Sequence, residues 1–174
     1  MERTIWINEA YAVCQKRRFS PSTFFTACGI FDLTAEEQTS FRTHMCASLV
    51  VAAKLNECDA QPILMCSIFQ MGIKEMSKIE RRITISLDWN FHFRTIFSAF
   101  QDTVTNVPLE FCLDLVRNAP HGSYDIVDAV NEFLRGDAGD RSGSKRRLRP
   151  LQSPRPKARA RTARNNDRAS SRPG

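Results

Sequence analysis

Apolar residues recur at helical spacing through the first hundred positions. In the segment 2–17, ERTIWINEAYAVCQKR, the residues Ile5, Trp6, Ala10, Val13 and Cys14 fall near one face. Next comes FSPSTFFTACGIFDL, where Ser20 is a predicted N-cap and Pro21 occupies the first helical position. Phe24, Ala27, Cys28 and Phe31 line the apolar face of that second helix. A third helix is predicted from about Ala35 to Leu55. Its second half is apolar nearly all round, the signature of a helix wrapped by others. Pro62 opens a fourth, QPILMCSIFQM, predicted to end near Gly72. A fifth runs from Lys74 to Leu87 with a seam of Met76, Ile79, Ile83 and Leu87, and Trp89 is expected to plug its end. After Asp88 the pattern weakens into three shorter helical segments, FRTIFSAFQDTV, PLEFCLDLVRNA and YDIVDAVNEFLR. Glycine is scarce and no strand alternation persists. The pattern predicts an all-α domain with a buried third helix and four helices around it.

Composition changes this picture at Gly136. The remainder, GDAGDRSGSKRRLRPLQSPRPKARARTARNNDRASSRPG, has no aromatic residue and cannot bury enough apolar area to offset its chain entropy, so it is predicted to be disordered. The net charge of +6 divides unevenly. Residues 135–174 hold 13 Lys/Arg against 3 Asp/Glu, and the preceding 134 residues hold 12 against 16. The folded part is therefore mildly acidic, and the basic character belongs to the tail. The six cysteines (14, 28, 46, 58, 66 and 112) include no CxxC pair and mostly lie in apolar runs. They read as free thiols acting as small hydrophobes. There is no apolar N-terminal signal segment and no window long enough to span a membrane. The expected compartment is intracellular and reducing, without disulfides.

The stretch LVVAAKLNE, residues 49–57, ends an apolar helix in Lys54 and Glu57, three apart and so on one face. A buried helix can simply end in charges, and a charged face can also receive another protein. Four segments bear on the choice. RTIWINEAYAV (3–13) resembles the first helix of a cyclin box, and STFFTACGIFDL (22–33) resembles the second. LVVAAKLNE resembles the family's third-helix ending, and IERRITISLDWNF its fifth helix and closing segment. The resemblance covers about residues 1–100. It implies that Lys54 and Glu80 form a charged pair contacting a cyclin-dependent kinase, with Glu57 beside it. It implies also a buried salt bridge between Arg3 and Asp32. The family's substrate-docking groove would fall on Ile5, Trp6 and Glu9, with Glu9 standing where a tryptophan is usual. A second five-helix box should follow, yet only about 35 residues remain for it, so that region is expected to be truncated, degenerate or absent.

Other residue groups have plainer readings. Trp6, Phe24, Phe25, Phe31 and Phe41 are expected to pack the core rather than line a ligand pocket. His44 with Cys46, and Cys58 with Cys66, lack the spacing of a metal site. His92 and His121 have no partners for a nucleophile or base arrangement. No glycine loop for phosphate is present, so neither enzyme activity nor a cofactor is expected. Lys145, Arg146, Arg147 and Arg149, in KRRLR, read as a solvated charge run, a nuclear-import signal with nucleic-acid contact as a second role, or an RxL-like docking motif. Ser153-Pro154 is a candidate for proline-directed phosphorylation.

The expected organisation is a cyclin-box-like domain at 1–100, a short helical remnant of a second box at 101–135, and a disordered basic tail at 136–174. The expected role is that of a non-catalytic regulatory subunit that binds and activates a cyclin-dependent kinase. It would be monomeric without the kinase, would contact no membrane and would act in the nucleus, with the cytoplasm as a second compartment. One alternative is a transcription-factor-type module that touches nucleic acid weakly through its tail. Another is a decoy that occupies a kinase without activating it.

Overall fold

The structure, a computed structural model, describes residues 2–35, 40–120 and 124–137. These form eight α-helices and, among the described residues, no strand. They are α1 (Glu2–Arg17), α2 (Pro21–Thr34), α3 (Phe41–Asn56), α4 (Pro62–Ile68), α5 (Ile73–Ser86), α6 (Ile96–Gln101), α7 (Leu109–Asn118) and α8 (Ile126–Asp137). The predicted tail was expected from residue 136, but Gly136 and Asp137 complete the last turn of α8; the rest of it, with Lys145, Arg146, Arg147, Arg149 and Ser153, lies outside the described residues, as does His121.

Helix α3 is the axis of the box. Every residue from Thr43 to Ala53 is buried, and α1, α2, α4 and α5 all pack on it. Ala47, Ser48, Ala52 and Ala53 keep parts of its surface low, so neighbouring helices can approach closely. Helix α2 starts where the Ser-Pro pair predicts. The Ser20 side chain accepts the Thr23 N–H, and Pro21 supplies a first turn that needs no donor. Phe24, Phe25 and Phe31 are fully buried, and Phe41 meets Phe31 edge-on at 5.6 Å between ring centroids. Trp6 packs half-buried against the same core.

Three boundaries differ from the sequence reading. Ala35 closes α2, its N–H donating to the Phe31 carbonyl at 2.9 Å, and α3 begins only at Phe41. Helix α4 stops at Ile68 because Gln70 turns left-handed, at φ 51°. Trp89 does not plug α5. Asp88 and Trp89 both adopt left-handed backbone (φ 48° and 58°), which leaves the indole 75% exposed. Leu87, Phe91 and Phe93 pack against the core instead.

Phe93 explains a glycine. A Cβ at Gly29 would lie 2.5 Å from the Phe93 ring, so the segment leaving α5 crosses α2 where no side chain stands. Beyond it, Phe97 of α6 stacks on Phe25 of α2, with centroids 5.1 Å apart and planes within 6°. Phe100 then meets Phe111 of α7 and Phe133 of α8 at 5.8 and 5.2 Å. A single buried cluster consequently runs from Ile7 to Val130. Helix α6 spans residue 100 and is anchored on α2.

Because the α6–α8 aromatics join the core of the box, truncating one of them should weaken the whole molecule. Phe100→Ala is expected to cost about 3–5 kcal/mol and to lower a single thermal transition followed by circular dichroism. Two separate transitions would show that α6–α8 unfold independently.

Candidate partner-docking site

Two of the ion pairs among the described residues connect elements distant in sequence. Arg3 on α1 grips Asp32 on α2 with two parallel bonds, Nε to Oδ1 and Nη2 to Oδ2, both 2.7 Å. The Asp32 side chain is only 3% exposed and that of Arg3 17%. Such a fork-on-carboxylate geometry is the strong form of a charge-assisted hydrogen bond. The remaining guanidinium nitrogen donates to the Val116 carbonyl at 2.8 Å, near the end of α7. Nearby, burial pushes the Tyr124 phenol up, and the Asp32 carboxylate adds to the shift.

The second pair is open to solvent. Lys54, in the last turn of α3, donates through Nζ to Oε1 of Glu80 on α5. Their side chains are 44% and 22% exposed. A pair in such contact with water is worth under about 1 kcal/mol to stability. Its value to the fold is therefore small, and both charges stay within reach of a partner. Leu55, next to Lys54, is exposed, as are Ile63 and Leu64 on α4, which packs on both α3 and α5.

Glu57 is placed differently from the sequence pattern. It is the C-cap of α3 in extended conformation, so it leaves the helix face that carries Lys54. Its Oε1 accepts the Ser20 N–H at 2.7 Å, the Ser20 hydroxyl at 2.9 Å and the Thr23 hydroxyl. Burial opposes ionisation of Glu57, but these hydrogen bonds outweigh it and hold the carboxyl below its usual range. The end of α3 is thereby tied to the start of α2. Nothing local signals this contact, because 37 residues separate Ser20 from Glu57.

On α1, Ile5 and Glu9 are exposed and Trp6 is half-buried, so the three do not form an open apolar channel. Arg117 of α7 lies over the Tyr11 ring, 5.7 Å from its centroid, and donates to the Asn8 side chain at 2.9 Å. His44 and the Thr34 hydroxyl are 2.8 Å apart and buried. Among the described residues no three His, Cys, Asp or Glu side chains are grouped so as to hold a metal ion. Likewise among them, no helix is long and apolar enough to cross a membrane. All the cysteines are free, and only Cys58 is exposed. Burial pushes the Cys14 and Cys112 thiols up to about 12 and raises Cys28, Cys46 and Cys66 as well.

A central helix is wrapped by four others, with a buried Arg–Asp pair on one side and a solvent-accessible Lys–Glu pair at its end. The family model described as "Cyclin, N-terminal domain" matches residues 1–92. The chain therefore belongs to the cyclin family, whose box is a regulatory and generally non-catalytic fold. No curated protein and no solved structure matches the chain.

Arg3→Ala is expected to cost about 3–5 kcal/mol, because it removes the cation that faces the buried Asp32 carboxylate. Amide exchange in α7 should quicken in the same variant, which loses the bond to Val116. A double Arg3→Met/Asp32→Leu variant should lose less than the two single variants together. Glu57 contributes to stability with a defined pH sense. Its folded-state pKa lies below the ordinary 4.5, so its contribution is full above that value and is lost as pH falls through the folded pKa. Acid titrations of unfolding should thus diverge between the native chain and Glu57→Gln above about pH 4.5 and converge below it.

Proposed function

We propose that this chain is the regulatory subunit of a cyclin-dependent protein kinase, with Lys54 and Glu80 at the centre of its docking face. One observation carries the reading: a solvent-accessible Lys–Glu pair joins the end of the buried helix α3 to α5 within the matched cyclin domain. The pair adds little to stability. Exposed Leu55, next to Lys54, and exposed Ile63 and Leu64 on α4, a helix that packs on both α3 and α5, supply apolar area of the kind a protein interface requires. Glu57 acts behind this face and orients the end of α3 through its bonds to Ser20 and Thr23.

Activation would follow from a population shift: the subunit binds the kinase's active arrangement better than its inactive one. In that arrangement the kinase's own Lys–Glu pair and metal-binding Asp are aligned for phosphoryl transfer. Chemistry then belongs to the kinase alone. We place the complex in the nucleus, on the basic cluster Lys145–Arg149.

The test is capture of cyclin-dependent kinases from cell extract on the immobilised full chain, followed by a kinase assay on the beads. The native chain is expected to retain active kinase, and Lys54→Ala/Glu80→Ala to retain at least tenfold less while keeping its circular dichroism spectrum. Kinase captured without activity would make the chain a decoy. Equal capture by both versions would remove Lys54 and Glu80 from the interface.

A further inference from the structure

The outward face of α5 carries a cationic stripe. Met76, Ile79, Ile83 and Thr84 are buried. Lys74, Lys78, Arg81 and Ile85 follow one another at helical spacing on the exposed side, with Arg82 at its edge. The three cations span about 10 Å at 1.5 Å per residue. Among the described residues, no hydrogen bond or ion pair engages Lys74, Lys78 or Arg81. Glu80 points toward α3 and is neutralised by Lys54, so this stripe is separate from the docking face described above. Glu75 and Asp88 flank its two ends.

An exposed aromatic ring follows the helix. Trp89 follows α5 by three residues in a backbone region that bulky side chains rarely adopt. The turn is nonetheless well bonded. The Asp88 N–H donates to the Ile85 carbonyl and the Trp89 N–H to the Thr84 carbonyl, both at 3.0 Å. The indole is consequently presented to solvent by an ordered turn.

From this juxtaposition we infer that the α5 outer face and Trp89 bind single-stranded nucleic acid. The cations take backbone phosphates, and the indole takes one base by stacking, the combination found in sequence-tolerant single-strand sites. An acidic peptide would use the cations but leave the π-face idle. The tail is rich in Lys and Arg, so the test must separate its contribution from that of the stripe.

The experiment uses the full chain and fluorescein-labelled oligo(dT), with affinity measured across a salt series. Each phosphate contact contributes about 0.7 to the slope of log K against log salt, so Lys74→Gln/Lys78→Gln/Arg81→Gln should lower its magnitude by about 2. Trp89 emission should be quenched on binding, and Trp89→Ala should weaken binding by at least about fivefold. All substituted side chains are exposed, and an unchanged circular dichroism spectrum excludes misfolding. A salt slope and affinity that none of these substitutions alters would assign any binding to the tail and overturn the inference. A failure to bind, or tighter binding of poly-glutamate than of oligo(dT), would overturn it too. Kinase capture by the triple variant should equal that of the native chain, because the stripe lies apart from Lys54 and Glu80.

Discussion

The structure depends most on what the Arg3 guanidinium touches. Asp32 is sealed from water between α1, α2 and α7, and an ionised carboxylate there is tolerable only with a well-placed cation. Arg3 satisfies both of its oxygens and spends its remaining nitrogen on the last turn of α7. That turn is the negative end of a helix dipole, so the cation is favourably placed twice over. One side chain thereby fixes the position of α1 on the bundle and of α7 on α1. The helices after residue 95 share this arrangement and the Phe25–Phe97 stack with the box, and belong to its core.

A second constraint follows from the burial of α3. A helix enclosed on every side can present functional groups only at its ends. Here the last turn divides its two charges. Lys54 reaches α5 and Glu57 reaches α2, so the end of α3 is held from both flanks. A partner meeting this face finds it already ordered, and little side-chain and loop entropy remains to be lost on association.

Much of this was legible in the chain. The first helix runs from Glu2 to Arg17 as the apolar spacing predicts, and the Ser20-Pro21 pair marks the start of the second. Periodicity could not place the start of α3, because AEEQTS lacks an apolar stripe and Ala35 suits the end of one helix as well as the start of another. The Arg3–Asp32 pairing entered through family resemblance, since nothing local joins residues 29 apart. Its third partner, a backbone carbonyl, has no sequence signature at all. Trp89 was misplaced because a hydrophobic residue after an apolar seam ordinarily folds inward, and two successive left-handed residues override that rule. The cationic face of α5 was hidden by averaging. The first 134 residues sum to a negative charge, although four cations crowd into nine positions of one helix, 74–82.

The distribution of sulfur sets the chemical vulnerability of the molecule. Five of its thiols are enclosed, and burial keeps them protonated, so they are poor nucleophiles at neutral pH. Cys58 is the exception, and it stands one residue beyond Glu57, in the loop between α3 and α4. Electrophiles and oxidants will therefore spare the core and act first at the α3–α4 loop.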